Sequence, residues 1–140
     1  MEEILFKGKR KDTDEWIEGY FLQLYRSERV FIIPKRFVQR GILRMSGETP
    51  PKIIPIEVIP ETVSQFTGLT DKYKKKIFKG DLIAKGFEIY EVRWNPERVR
   101  WGIYSNNFEV AGFTKFSESY FEVIGNIYDN KELLNGKDKG

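Results

Sequence analysis

The sequence predicts a mainly β protein, built from antiparallel sheets with a small SH3-like or partly open barrel and a short C-terminal helix. Eleven Phe, seven Tyr and three Trp in 140 residues favour sheet over helix, because aromatic side chains suit a pleated, half-buried surface. Residues 87–94 and 99–104 flank Asn95-Pro96-Glu97-Arg98, which is a hairpin signal. Lys79-Gly80-Asp81 predicts a tight turn before an apolar strand, because glycine tolerates positive φ. We expect the barrel within residues 77–128.

The chain is expected to form one domain with two lobes, an N-terminal β lobe of about residues 1–66 and a barrel-like lobe of about residues 67–135. The strands predicted in the first lobe are residues 4–10, 16–25, 30–33 and 53–59. Gly19 indicates a bulge or a close backbone approach, and Pro55 confines the last of these strands to an edge. Residues 35–52 carry Gly and Pro without a regular apolar period, which predicts a long loop that acts as an arm or a lid.

The centre of the chain combines turn signals with apolar anchors. Pro60 followed by residues 61–66 predicts one amphipathic helical turn, which Gly68 then ends. Residues 70–74 are polar enough for a loop but have no glycine at the tip. Towards the C-terminus, residues 108–110 and 121–128 predict strands. A short helix through Leu134 is expected to follow them, capped by Asp129 or Asn130 with Glu132 in a reciprocal bond.

Three blocks of the chain, spread over almost its whole length, carry the motifs of a known family. The first block is Phe6-Lys7-Gly8-Lys9-Arg10 with Trp16-Ile17-Glu18-Gly19-Tyr20. The second is Val58, Pro60-Glu61-Thr62-Val63, Gln65-Phe66-Thr67-Gly68-Leu69, Asp71, Ile77 and Gly80-Asp81-Leu82-Ile83. The third is residues 121–128 followed by Glu132-Leu133-Leu134. Together these blocks resemble the YopX family of small phage and prophage proteins. The resemblance implies a phage or prophage origin, and it brings no catalytic residues with it.

The chain departs from the family pattern in the loop that follows Asp71. Tyr73-Lys74-Lys75 stands where family members often have Asn-Gly-Lys, so a tight two-residue turn is not expected here. Lys76 and Lys79 stand where acidic residues are frequent. The basic character of this loop is therefore expected to be particular to this protein.

The composition excludes several kinds of chemistry. There is no cysteine, which excludes disulfides and thiol catalysis, and no histidine, which removes the commonest metal ligand and acid–base catalyst. No phosphate-binding glycine loop or nucleophile elbow occurs. We expect neither metal nor cofactor and no enzymatic activity. The N-terminal residues lack a signal-peptide pattern and no apolar window reaches membrane-spanning length, so a cytoplasmic location in a bacterial host is expected.

Two basic and aromatic groups are the candidate contact residues. The first is the lysine loop of Lys72, Tyr73, Lys74, Lys75, Lys76 and Lys79. Its lysines would suit phosphate groups, but the sequence alone favours a solvated hairpin tip in which they prevent edge pairing. The second is the arginine hairpin of Arg93, Arg98, Arg100 and Trp101 with Trp94, of which alternation allows only a part to share one face. One Trp is expected in the core and the other as a stacking platform or interface anchor.

Acidic residues offer weaker signals. Asp12, Asp14 and Glu15 are too few for a calcium loop and predict a plain turn. Glu61 and Asp81 would be a carboxylate pair for acid–base chemistry, but a helix start and a turn explain them equally well.

The predicted function is a non-catalytic phage or prophage accessory protein that binds a macromolecule in the host cytoplasm. The alternatives are a nucleic-acid-binding protein that uses the two basic groups, and an enzyme with carboxylate and lysine chemistry. With a net charge of only +3, nucleic acid is a partner that the sequence permits but does not favour. Open sheet edges and many aromatic residues also predict a homo-oligomer, by default a dimer. A host or phage protein is the other expected partner.

Overall fold

A computed structural model describes residues 4–39, 42–43 and 53–136 of the chain. They form thirteen β-strands and one α-helix. The strands are β1 Phe6–Lys9, β2 Trp16–Gln23, β3 Val30–Pro34, β4 Val38–Gln39, β5 Ile42–Leu43, β6 Ile56–Val58, β7 Ser64–Thr70, β8 Lys76–Phe78, β9 Asp81–Lys85, β10 Glu88–Asn95, β11 Arg100–Ser105, β12 Phe108–Gly112 and β13 Glu122–Asn126. The helix α1 is Glu132–Gly136, and single 3-10 turns are Lys35–Phe37, Pro60–Thr62 and Lys115–Ser119. The mainly antiparallel β class and the short C-terminal helix are confirmed.

The chain divides into two compact units, Met1–Gln65 and Phe66–Gly140, and the division falls inside β7. None of the helices in the described part of the chain has the length and apolar character needed to span a bilayer. Residues 40–41 and 44–52, which make up most of the predicted arm or lid, lie outside the described residues. The described remainder of that segment holds the 3-10 turn Lys35–Phe37 and the pairing of β4 with β5.

In the first unit the strands follow the order β6, β3, β2, β1, and β1 then pairs with the first residues of β7. All pairings are antiparallel, with Val30, Ile32 and Val58 buried between them. At Gly19 a Cβ atom would lie 1.9 Å from the carbonyl oxygen of Ile33, which confirms the predicted close backbone approach. No other residue type fits there without moving β3 away from β2.

The edge strand β6 is held by charge as well as by backbone bonds. Glu57 on β6 forms ion pairs with Arg29 (2.8 Å) and Lys11 (3.0 Å). Hydrogen bonds from Arg29 and then from Lys11 lower the pKa of Glu57 to about 2. The Ile59 N–H donates to the Lys9 carbonyl (2.8 Å), so the segment after β6 is bonded to the end of β1. These bonds engage some of the polar groups of β6 that the sheet itself leaves unpaired. The strand lies at the edge of the sheet, as Pro55 led us to expect.

The helical turn predicted over residues 61–66 is wrong beyond its first residues. Pro60–Thr62 forms one 3-10 turn with Pro60 at its start, and the chain becomes strand β7 from Ser64, through Gly68. Local polar bonds explain the early end of the turn. The Thr62 hydroxyl accepts the Lys9 N–H (2.9 Å) and donates to the Ile59 carbonyl, and the Ser64 hydroxyl donates to the Thr62 carbonyl. Gly68 does not end the element; it has a φ of +85° at an irregularity in the pairing of β7 with β8.

In the second unit five antiparallel strands form a sheet of order β12, β11, β10, β9, β13, and β7 pairs with β8. Its buried core consists of Ile77, Ile83, Val92, Ile103, Phe113, Phe121 and Val123. Among the described residues this sheet is open, with β12 and β13 at its two edges, so the barrel-like part predicted here is a sheet that does not close into a barrel. The hairpin predicted at residues 95–98 is confirmed, and the Asn95 side-chain oxygen accepts the N–H groups of Glu97 and Arg98 (both 3.1 Å).

The turn between β8 and β9 matches the prediction from Lys79-Gly80-Asp81. Gly80 has a φ of +86°, a conformation that strains any residue with a Cβ. Its N–H donates to the Val92 carbonyl (2.8 Å) and its carbonyl accepts the Ile127 N–H (2.9 Å). The buried Asp81 accepts the Phe78 N–H (2.8 Å). This turn therefore joins β10 to the end of β13 through its backbone.

Candidate binding surface

Asp71 shapes the loop that carries most of the predicted lysines. One of its carboxylate oxygens accepts the N–H groups of Tyr73 (2.8 Å) and Lys75 (2.9 Å), and the other accepts the N–H of Val123 (3.0 Å). Burial alone would raise the pKa of Asp71, but the three backbone hydrogen bonds outweigh it and hold the pKa below its ordinary value. Asp71 therefore builds the loop and binds it to β13 at the same time.

The chain turns tightly through residues 72–74 despite the lack of glycine, and these three residues stand in place of a two-residue turn. Lys74 has a φ of +68°, the left-handed conformation that glycine adopts most easily. The Lys74 N–H donates to the Asp71 carbonyl (3.0 Å), and the Asp71 N–H donates to the Lys75 carbonyl (2.8 Å). The bonds to Asp71 thus compensate for an unfavourable residue at the turn.

The five lysines predicted as one loop are divided between two places. Lys72, Lys74 and Lys75 are exposed in the turn after β7, where the Lys72 N–H donates to the Phe121 carbonyl just before β13 (3.0 Å). Lys76 is half-buried in β8. Lys79 is exposed beside Gly80, whose carbonyl bonds to Ile127 just after β13. Lys79 is therefore at the opposite end of β13 from Lys72, and only the first three lysines share a surface.

The structure adds residues that the sequence did not single out. Lys85, at the end of β9, lies over the ring of Tyr120 with its amine 5.1 Å from the ring centroid. Lys72 lies over the ring of Tyr73 in the same manner (5.2 Å). Tyr73 is 67% exposed and Tyr120 is 57% exposed. We call these four residues, Lys72, Tyr73, Lys85 and Tyr120, the lysine–tyrosine surface.

Long-range strand pairing assembles the lysine–tyrosine surface. Glu122 at the start of β13 pairs with Ala84 on β9, which places Tyr120 beside Lys85. The bond from Lys72 to Phe121 places the other lysine–tyrosine pair next to the same strand end. Only the local spacing of Lys72 and Tyr73 is visible in the sequence, so Lys85 and Tyr120 had no signal of their own. Phe87, two residues after Lys85, is fully exposed at the tip of the β9–β10 hairpin.

The charges near the lysine–tyrosine surface favour an anion. Among the described residues, Lys72, Lys74, Lys75 and Lys85 form no ion pair with a carboxylate. The acidic groups that neighbour this surface have other contacts, and Glu88, which pairs with Lys85 across the β9–β10 hairpin, accepts a hydrogen bond from the Tyr90 hydroxyl. Asp71 bonds to three backbone N–H groups, and Glu118 accepts the Thr70 N–H (2.9 Å). The four amines are therefore available to a ligand.

The arginines of the predicted hairpin, in contrast, are engaged. Arg93 pairs with Glu91 (2.9 Å) and lies over the ring of Tyr104 (4.9 Å). Arg100 and Asn95 donate to Glu109, and these hydrogen bonds lower the pKa of that carboxyl. Arg98 approaches the same carboxylate more loosely, at 3.9 Å, and is largely exposed. Carboxylates thus neutralise two of the three arginines of the hairpin, and Arg98 alone of the three remains largely exposed.

The two tryptophans of this hairpin lie directly opposite each other on neighbouring strands. Trp94 pairs with Trp101 across β10 and β11, and their rings meet edge to face with centroids 5.3 Å apart. Trp101 packs against the core, whereas Trp94 is 42% exposed. Arg93, the neighbour of Trp94 on the strand, points to the opposite face. The expected separation of arginine from tryptophan is therefore observed.

The acidic candidates have structural contacts. Glu61 is exposed in the 3-10 turn of the first unit, while Asp81 is buried in a turn of the second. Asp12 pairs with Arg10 (2.8 Å) and Asp14 with Lys9 (3.5 Å), as expected of a plain turn. Within residues 4–39, 42–43 and 53–136, no group of three or more acidic side chains is placed to hold a metal ion.

These features define a class of protein: two antiparallel β units with an exposed basic and aromatic surface on the second. The crystal structure of protein EF1440 from Enterococcus faecalis has the same fold, with a TM-score of 0.56 over 96% of this chain and 99% of that one, at 22% identity. No curated protein matches this sequence significantly. The model of the YopX protein family matches residues 5–135. The chain belongs to the YopX family.

Proposed function

We propose that this protein is a non-catalytic accessory protein, encoded by a phage or prophage, that binds a macromolecule in the bacterial cytoplasm. The observation that carries the proposal is the contrast between its buried and exposed polar groups. The buried carboxylates of Asp71 and Asp81 bond to backbone N–H groups of turns. Lys72 and Lys85, which form no carboxylate ion pair among the described residues, are exposed beside the rings of Tyr73 and Tyr120.

The roles of the family-like residues support binding rather than catalysis. Thr62, Asp71, Gly80 and Asp81 all belong to the block that resembles the family, and each one stabilises a turn. A general acid or base needs a carboxylate that faces the reacting group. Asp71 instead has a lowered pKa and uses both oxygens as acceptors for backbone donors. The residues that resemble the family most closely thus explain the fold.

Affinity capture from phage-infected or lysogenic cells tests the proposal, with and without nuclease. A partner that survives nuclease identifies a protein target, and nucleic acid that is lost on nuclease treatment identifies a nucleic-acid target. The control bait is a variant with Lys72, Lys74 and Lys75 replaced by Gln, which keeps the Asp71 backbone bonds but removes three exposed charges. Recovery of nothing above an unrelated β protein of similar charge would contradict a binding role.

The enzymatic alternative has its own test. An NMR titration of the carboxyl groups that placed the pKa of Glu61 or Asp81 well above the ordinary range would favour acid–base chemistry. Ordinary or lowered values for both groups would leave the binding proposal as the better one.

A further inference from the structure

We propose that the lysine–tyrosine surface binds single-stranded nucleic acid, with Tyr73 and Tyr120 stacking on bases and Lys72 and Lys85 contacting phosphates. This inference rests on the proposed function and names the class of its partner. It depends on residues from three separate parts of the chain, the turn after β7, the end of β9 and the segment before β13.

The surface contains two similar pairs, each made of one lysine and one tyrosine. Each tyrosine is more than half exposed and has a lysine amine within 5.2 Å of its ring centroid. Proteins that bind single strands use this combination, since every base has a stackable face and every nucleotide has a phosphate. Backbone pairing holds the two lysine–tyrosine pairs next to each other. Lys72 bonds to Phe121, the residue before β13, and Ala84, the neighbour of Lys85, pairs with Glu122 at the start of β13. The surface is therefore rigidly supported although its side chains are exposed.

The neighbouring residues extend the same chemistry. Lys74 and Lys75 are exposed in the turn that carries Lys72, and Phe87 is fully exposed two residues after Lys85. A nucleic-acid strand that crosses the surface would thus meet a third ring and two further amines. Phe87 lies in the hairpin between β9 and β10, and β9 is the strand that pairs with β13. No carboxylate ion pair among the described residues competes for these amines.

Single strands fit this surface better than a duplex does. In a duplex the bases are stacked on each other, so exposed tyrosine rings would find no partner and only the phosphates would be read. A duplex reader also needs an element that enters a groove. Here the side chains lie in the turn after β7, at the end of β9 and just before β13, and the hairpin arginines Arg93 and Arg100 are paired with Glu91 and Glu109.

Fluorescence anisotropy with labelled oligothymidine and oligouridine of about 20 nucleotides tests the inference directly. We expect binding at about 50 mM salt that weakens steeply towards about 200 mM. Tyr73→Ala and Tyr120→Ala should each weaken binding roughly 5- to 150-fold, the range measured for loss of one stacking ring. Tyr73→Phe keeps the ring and should bind like the wild type. Lys72→Ala and Lys85→Ala should each reduce the slope of log affinity against log salt by about 0.7.

Matched controls separate stacking from general charge. Tyr25→Ala removes an exposed tyrosine that has Arg26 over its ring at 5.2 Å, but it belongs to the first unit. Phe108→Ala removes an exposed ring from β12, at the other edge of the sheet from β13. Both controls should bind like the wild type. Because all the replaced rings are exposed, melting temperatures should be unchanged, which separates lost contacts from unfolding.

Three results would overturn the inference. They are no oligonucleotide binding at low salt, equal binding of a duplex of the same length, and loss of affinity in the lysine variants but not in the tyrosine variants. The last result would mean nonspecific attraction of a polyanion. If the oligonucleotide experiment fails while affinity capture yields a nuclease-resistant protein partner, only this inference falls and the proposed binding function stands. Comparison of the two oligonucleotides shows whether DNA or RNA is the preferred strand.

Discussion

Replacement of Asp71 by Asn tests whether one carboxylate builds the loop after β7 and binds it to β13. The substitution preserves the size of the side chain but leaves one oxygen as a hydrogen-bond acceptor, where the wild-type carboxylate has two. That oxygen can serve the N–H groups of Tyr73 and Lys75, or the N–H of Val123, but not both sets. If the amide oxygen keeps the loop bonds, the amide NH₂ faces the Val123 N–H, donor against donor. A buried charge-assisted hydrogen bond contributes about 1.5–3 kcal/mol, and we expect Asp71→Asn to destabilise the protein by about 1–3 kcal/mol.

The loss should depend on pH in a defined direction. The folded pKa of Asp71 is lowered below its unfolded value of about 4, so its contribution is fully present above that pH and is lost as pH falls through the folded pKa. The amide of the variant does not titrate and has no such dependence. The difference in free energy of unfolding between the two proteins should therefore be largest near neutral pH and shrink below about pH 4. Contributions from Glu57 and Glu109, whose pKa values are also lowered, occur in both proteins and cancel.

Urea denaturation of both proteins across this pH range measures the difference. Glu97→Gln is the matched control, because it removes an exposed carboxylate from another turn and should change stability by less than about 0.5 kcal/mol at every pH. If Asp71→Asn costs no more than the control, or if its cost stays constant down to acid pH, the assigned role of the carboxylate is wrong.

Other substitutions test single backbone positions, and one measurement tests assembly. Gly80→Val should destabilise by about 1–2 kcal/mol or more in urea denaturation, because a φ of +86° strains a residue with a Cβ; an unchanged midpoint would contradict this. Lys74→Gly should raise stability by about 0.5–1 kcal/mol, since a φ of +68° suits glycine; a less stable variant would show that the lysine itself is needed. Gly19→Ala should abolish the pairing of β2 with β3 and lower the melting temperature sharply, because its Cβ would lie 1.9 Å from the Ile33 oxygen; a soluble variant that melts like the wild type would refute the close approach. Light scattering should show a dimer, in keeping with the exposed Phe108 on the edge strand β12, and a monomer across a wide concentration range would reject self-association.

Local signals in the sequence were reliable where the residues that determine a structural element all lie within one short stretch. The hairpin at residues 95–98 and the turn at Gly80 depend on residues a few positions apart, and both are observed. The close approach at Gly19 was also readable, because only glycine leaves room for a neighbouring strand. Mistakes occurred where two local preferences competed. Residues 61–66 had a helical pattern, but the hydroxyls of Thr62 and Ser64 satisfy the backbone in another way and the chain extends.

The candidate surface shows that the sequence alone does not reveal which charged residues lie together in the fold. The sequence placed six residues between Lys72 and Lys79 in one group and the hairpin arginines in another. In the structure the first group is spread along strand β13, because Lys72 bonds to the residue before this strand and Gly80, next to Lys79, bonds to the residue after it. Carboxylates on the same or a neighbouring strand neutralise Arg93 and Arg100. Charge is visible in a sequence, but whether a charge is paired depends on side chains that only the folded sheet brings within reach.

The sequence by itself determined the class of fold, the family and the turns at residues 79–81 and 95–98, because each of these depends on residue types within short stretches. Tertiary structure decided which exposed groups lie together. Lys85 and Tyr120 are 35 positions apart and meet because Ala84 pairs with Glu122. Asp71 reaches Val123 for a similar reason, since formation of the sheet brings β13 beside the loop. Pairing of distant strands is a property of the whole chain, as each contact forms only when the strands between have found their register.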